Sequence, residues 1–144
     1  MYTAITVKQI LDRKGSAICF LPPEVSVFSA LRYMAEKNIG AVLVMRQGEL
    51  VGVFSERDYA RKVALEARNE RNTTIEDVMT AQVVGVRPSW KLDECLALMT
   101  DKFVRHLPVV DEANQVIGVI SIGDVVKELI DRKSTRLNSS HVSQ

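Results

Sequence analysis

The chain has 144 residues, of which 47% are hydrophobic and 26% charged. That composition fits one globular domain or two small repeats sharing a real core, and it excludes collagenous, disulfide-stapled and disordered classes. Nineteen Lys and Arg against eighteen Asp and Glu leave a formal charge of +1, too little to draw in a polyanion by bulk charge, so nucleic acid is not an expected partner.

The N-terminal stretch MYTAITVKQILDRKG lacks the pattern of a leader, and no apolar run approaches the roughly 18–20 residues of a membrane span. The expectation is a cytoplasmic protein with no membrane partner. Thr6 with Gln9 reads as a capping box opening a short helix, and Ala17 to Leu21 as a short strand stopped by Pro22 and Pro23. From Val25 to Lys37, Val27, Leu31 and Met34 recur at three- and four-residue spacing, which predicts an amphipathic helix ended by Gly40. Ala41 to Met45 and Leu50 to Phe54 are β-rich runs joined by a polar turn. A helix enters at Ser55 and is expected to run to about Glu70, ahead of the polar stretch RNTT (71–74).

The second half repeats this order. Thr74 with Asp77 opens a helix, Val83 to Val86 forms a strand, a helix covers 90–102, strands cover 106–110 and 116–120, and a last helix starts at Ser121. The expected fold class is α/β, of the α+β kind, with two β-α-β-β-α repeats packed about a pseudo-twofold axis. The domains are 1–68 for the first repeat with its linker helix and 69–130 for the second. Residues 131–144 turn abruptly polar and Ser-rich and read as a disordered or non-native tail, DRKSTRLNSSH resembling a translated sequencing adapter.

The repeat is visible residue by residue. GVFSERD (52–58) lies over GVISIGD (118–124) at an offset of 66, and upstream the offset becomes 65, pairing Pro23 with Pro88, Leu31 with Leu96, Met34 with Met99 and Val44 with Val109. VKQIL (7–11) answers IEDVM (75–79). With both copies ending in Gly-h-h-Ser-x-x-Asp and the second carrying RHLPVVDE (105–112), residues 5–130 resemble a tandem pair of CBS domains, the cystathionine-β-synthase repeat that forms a Bateman module. The resemblance implies two clefts between the repeats that bind adenine-containing ligands, with AMP first and ATP, NAD(H) or S-adenosylmethionine as alternatives. It also implies a homodimer, a disc of four repeats, that signals to an unidentified regulated protein.

Ser55 with Asp58, and Ser121 with Asp124, are the central candidates. On spacing alone Ser-x-x-Asp is a capping box, and the cap is the favoured reading. The resemblance places the ribose-binding Asp at this position, where a carboxylate accepts hydrogen bonds from the diol. Arg105 and His106 align with Gly40 and Ala41, so the copies differ at a matched site. The resemblance sets the basic pair against the phosphate of the ligand held by Asp58, a task suited to the planar Arg fork. Gly40 and Ala41 then leave the Asp124 cleft less charged and roomier. Arg57 lies inside the motif and is either a phosphate contact or a solvated cation, while Arg61 and Lys62 read as a solvated helix face. Ser16, Ile18, Thr80, Val83 and Val84 stand at the strand entries where the family sandwiches adenine.

Cys19 and Cys95 have neither the CxxC spacing of a zinc site nor an orienting base, and read as buried apolar residues. No catalytic residue, metal or catalytic cofactor is expected, and the function implied is regulatory and non-enzymatic. The alternative is a ligand-free dimerisation or protein-interaction module whose Ser-x-x-Asp pairs serve only as caps.

Overall fold

In a computed structural model, residues 5–15 and 17–131 are described. They form two compact units, one of Ile18–Val83 and the other of the described residues before Ile18 together with those from Val84 onward. Both are mixtures of helix and strand, as expected.

In the Ile18–Val83 unit, β1 (Phe20–Leu21) runs parallel to β2 (Ala41–Arg46), which pairs antiparallel with β3 (Glu49–Ser55). Between them lies α2 (Val27–Lys37), capped by the Ser26 hydroxyl, which accepts from the Ser29 amide. The helix closes at Asn38 in the left-handed region with φ 55°, two residues before the expected break at Gly40, because Asn tolerates that conformation and satisfies the last carbonyls. Gln47 (φ 51°) and Gly48 (φ 82°) make the two-residue turn of the β2–β3 hairpin, where positive φ at both centres matches the strand twist. After β3 come α3 (Glu56–Tyr59) and a π-helical turn over Ala60–Ala64, with the Leu65 amide donating to the Ala60 carbonyl. The helix expected to reach Glu70 therefore stops early, and Ala67 at φ 55° turns the chain away.

The unit is completed by α4 (Ile75–Val78), whose Ile75 amide donates to the Val25 carbonyl at 2.9 Å while the Val27 amide donates to the Thr73 carbonyl at 2.8 Å. Thr74 makes no side-chain cap, contrary to expectation. The core is Val27, Ala30 and Met34 of α2 with Val42, Val44, Phe54, Val63, Ile75 and Val78.

The other unit follows the same plan. α1 (Val7–Lys14) carries the expected Thr6–Gln9 capping box. The Val7 amide donates to the Trp90 carbonyl at 2.8 Å, and the Leu92 amide to the Ile5 carbonyl at 2.9 Å. α5 (Leu92–Lys102) precedes the antiparallel pair β4 (His106–Val110) and β5 (Val116–Ser121), and residues 122–131 form α6. The strand expected over Val83–Val86 shrinks to one parallel bridge, Val86 to Val109. Its core matches the first position by position, with Leu92 for Val27, Cys95 for Ala30, Met99 for Met34, Leu107 for Val42, Val109 for Val44 and Ile120 for Phe54. Asp131, the last described residue, is helical, and the rest of the expected tail lies outside the described residues.

The matched glycines explain the architecture. A Cβ on Gly118 would stand 2.8 Å from Leu11 Cδ2, and one on Gly52 would stand 2.5 Å from Met79 Sδ. Leu11 and Met79 are themselves matched, so each glycine lets the end of a leading helix close onto a strand. α1 thereby joins β5, and α4 joins β3, although each precedes the other copy in sequence.

Candidate functional site

β3 delivers Ser55 to the start of α3, and β5 delivers Ser121 to the start of α6. In each case backbone pairing fixes the residue opposite, Ala41 facing Ser55 and His106 facing Ser121. The carbonyl before it, Gly40 or Arg105, accepts from the first helical amide, Glu56 at 3.0 Å or Ile122 at 2.8 Å. The sequence-matched positions Gly40 and Ala41, Arg105 and His106 therefore sit beside their own unit's Ser-x-x-Asp.

Both capping hydrogen bonds form twice. The Ser55 amide donates to Asp58 Oδ2 at 2.9 Å and the Asp58 amide to Ser55 Oγ at 3.2 Å; the matching distances for Ser121 and Asp124 are 2.8 and 3.1 Å. The carboxylates then diverge. Thr80, anchored to Val53 by two backbone hydrogen bonds, donates its hydroxyl to Asp58 Oδ1 at 3.0 Å, and Lys62 Nζ lies 3.0 Å from the same oxygen. Asp124 receives Lys14 Nζ at 2.7 Å on Oδ2, and the same ammonium donates to the Val119 carbonyl at 2.9 Å.

Burial alone would raise the Asp124 pKa. The Lys14 ammonium and the Ser121 amide and hydroxyl outweigh it and hold the carboxyl below its ordinary range. His106 is lowered mainly by burial, with Lys14 and Arg105 adding to the effect and Asp124 opposing it. Its imidazole is therefore neutral at neutral pH.

Of the adenine-contact candidates, Thr80 meets Asp58 directly. Ile18 is half-buried just ahead of β1, Val83 is half-buried and Val84 exposed outside any strand, and Ser16 lies outside the described residues. Arg57 is exposed. Cys95 is buried in α5 with its thiol pushed up to about 11 by burial and by Glu94 and Asp93, whereas Cys19 precedes β1 and is half-buried. A shallow depression of about 520 Å³ lined by Phe28, Leu31, Tyr59 and Arg71 contains none of the expected residues. Among the described residues no helix is long and apolar enough to cross a membrane, and no group of three metal-ligating side chains occurs.

The CBS domain description matches this chain twice, over residues 7–65 and 75–131. The chain belongs to the CBS domain family. It is 32% identical over 138 residues to the mitochondrial CBS domain-containing protein CBSX3 of Arabidopsis thaliana, a match covering 90% of this chain and 66% of the relative. A solved structure of a CBS-domain protein from Burkholderia ambifaria is 47% identical with a TM-score of 0.85, covering 88% of this chain and 95% of that one. The inosine-5'-monophosphate dehydrogenase of Methanocaldococcus jannaschii is 32% identical over 106 residues, but the match takes in only 20% of that enzyme. The likeness to a catalyst is thus confined to a fifth of its length.

Two residues of this CBS pair escaped the sequence reading. The sequence puts Lys62 on a solvated face, whereas its four-residue spacing from Asp58 is the spacing at which helical side chains meet. Lys14 had no local signal, because it lies 110 residues from Asp124 and reaches it only through the Leu11–Gly118 approach.

Proposed function

We propose that this CBS pair is a non-enzymatic regulatory module that binds an adenine-containing ligand at its Ser-x-x-Asp carboxylates, AMP first, with ATP, NAD(H) or S-adenosylmethionine as alternatives. The bound state passes to a partner protein through a population shift, whose size is set by the ligand's affinity difference between states. The observation that carries the reading is the 3.0 Å hydrogen bond from Thr80 Oγ1 to Asp58 Oδ1. It joins a residue that the family resemblance assigns to ribose, Asp58, and one that it places at an adenine-contacting strand entry, Thr80, the two lying 22 positions apart. Arg105 and His106 supply phosphate contacts in this reading, and the protein works in the cytoplasm.

The test is thermal unfolding of the full chain with AMP, ATP, NAD, NADH and S-adenosylmethionine, beside Asp58→Ala and Asp124→Ala. Ligand at a hundred times its Kd adds about 2.7 kcal/mol to native-state stability, and the rise should shrink in the variants. A folded protein whose melting temperature moves with none of the five sinks the reading.

A second reading, an interaction module acting as a homodimer, is favoured by a separate observation. Ile122, Val126 and Ile130 expose an apolar stripe at four-residue spacing on α6, where the matched positions of the first copy are Glu56, Ala60 and Ala64. The occupant proposed is a second copy of this chain. Light scattering on Val126→Glu should show a shift toward monomer.

A further inference from the structure

A carboxylate offers about four lone-pair sites, and at Asp58 three hydrogen-bond donors and one ion-paired ammonium crowd them. Oδ2 accepts from the Ser55 amide and hydroxyl, both at 2.9 Å, and Oδ1 lies 3.0 Å from both Thr80 Oγ1 and Lys62 Nζ. The Asp58 side chain is only 9% exposed. A ribose diol reaches it only by displacing a donor. Ser55 is the helix cap, and Thr80 is pinned to Val53 at 2.9 and 3.0 Å. Lys62 is different, being on a flexible stem and 41% exposed, with its other contact a long 3.5 Å to the Met79 carbonyl. Its ammonium can return to water, leaving Asp58 to accept from incoming hydroxyls.

Asp124 is not saturated in this way. Oδ2 takes the Ser121 amide and Lys14 Nζ, and the Ser121 hydroxyl also favours the charged carboxylate, whereas neither of those two bonds engages Oδ1 and the side chain is 22% exposed. A diol can add there without evicting anything.

We propose that Lys62 is an internal latch on Asp58, so that ligand fills the Asp124 site first and the Asp58 site only when Lys62 lets go. The proposal rests on the adenine-ligand reading above. Both sites take the same chemical class, a vicinal diol with an attached phosphate, and differ in order.

Calorimetric titration of the full chain with AMP and with ATP separates the possibilities. Two events are expected, the tighter lost in Asp124→Asn and the weaker in Asp58→Asn. Lys62→Met, which keeps the stem and removes the charge, should tighten the weaker event about fivefold, roughly the worth of a partly exposed ion pair. Lys62→Arg, which keeps the charge, should restore the wild-type value. Far-UV circular dichroism checks that each variant is folded. Weaker or unchanged binding at the Asp58-dependent event in Lys62→Met would overturn the latch, as would loss of the tighter event in Asp58→Asn. Absence of binding in every variant and in the wild type would instead overturn the adenine-ligand reading, and the latch with it.

Discussion

Gly52→Ala is the substitution that most directly tests how this fold builds its site. The added Cβ would lie 2.5 Å from Met79 Sδ, 2.9 Å from Met79 Cγ and 3.0 Å from the Thr80 carbonyl oxygen. Met79 can rotate away, at an overpacking cost of about 1–3 kcal/mol. The Thr80 carbonyl is backbone and cannot retreat without stretching the hydrogen bond it accepts from the Val53 amide, worth about 1 kcal/mol. The total is about 3 kcal/mol, which for a chain of this size lowers the melting temperature by about 6–12 °C. Gly118→Ala is the matched control. Its Cβ would meet Leu11 Cδ2 at 2.8 Å and Cδ1 at 3.1 Å, both terminal methyls, with no backbone atom among the nearest three. About 1–2 kcal/mol is expected there. Thermal unfolding followed by far-UV circular dichroism measures both. The reasoning is refuted if Gly52→Ala melts within about 1 °C of wild type, or if Gly118→Ala is the more damaging.

Three further outcomes follow from the same geometry. A thiol reagent at pH 8 should label Cys19 in the native protein and Cys95 only after denaturation, because Cys95 is buried with its pKa raised to about 11; prompt reaction of both would contradict that burial. His106 and Asp124 both have lowered pKa values, so the unfolded chain binds more protons than the native one and stability must fall on acidification. The His106 contribution is lost as pH drops from its ordinary value toward the lowered one, and the Asp124 contribution as pH falls through the lowered carboxyl value; His106→Gln should remove the first phase in a urea titration series, and an unchanged series would speak against it. If phosphate meets His106, binding takes up a proton, and affinity for AMP should rise on going from pH 8 to pH 6 by no more than tenfold per unit, a trend that His106→Gln should flatten and that calorimetry in buffers of different ionisation enthalpy would reveal.

The repeat made most of the scaffold legible. Apolar residues at matched offsets anticipated the cores of both units, because helix and strand periodicities are local properties of the sequence. What escaped depended on the particular backbone. Val83 to Val86 has the composition of a strand, yet only Val86 finds a partner, since β propensity expresses packing and pairing that a four-residue segment does not determine. Gly40 looked like the helix stop, and Asn38 took the left-handed position instead. The Ser-x-x-Asp caps were legible because their partners are three residues apart. Which cations neutralise the two acids was not, because one answer lies on the next helical turn and the other on a helix from the far end of the chain.

That difference between copies has a charge logic that the alignment, once the structure is known, makes explicit. The position matching Lys62 is Glu128, so the second copy places an acid where the first places the counter-ion of its Asp. Glu128 is nearly buried, with its side chain 7% exposed, and would add to the negative charge near Asp124 if nothing intervened. α1 intervenes with its last two residues: Arg13 Nη1 binds Glu128 Oε2 at 3.0 Å, and Lys14 binds Asp124. Basic residues in that final turn also complement the helix dipole. Removing Arg13 would leave a buried carboxylate without its cation, a loss that reaches about 3–5 kcal/mol for a fully buried pair. Arg13 is itself 61% exposed, so about 1–2 kcal/mol is the expected cost of Arg13→Met. Lys8→Met, which breaks only the exposed Lys8–Asp12 pair of the same helix, should cost under about 0.5 kcal/mol. Equal urea midpoints for the two variants would mean that α1 holds its unit through Leu11 and the backbone bridge alone, and that its terminal Arg-Lys pair has no part in balancing the second site.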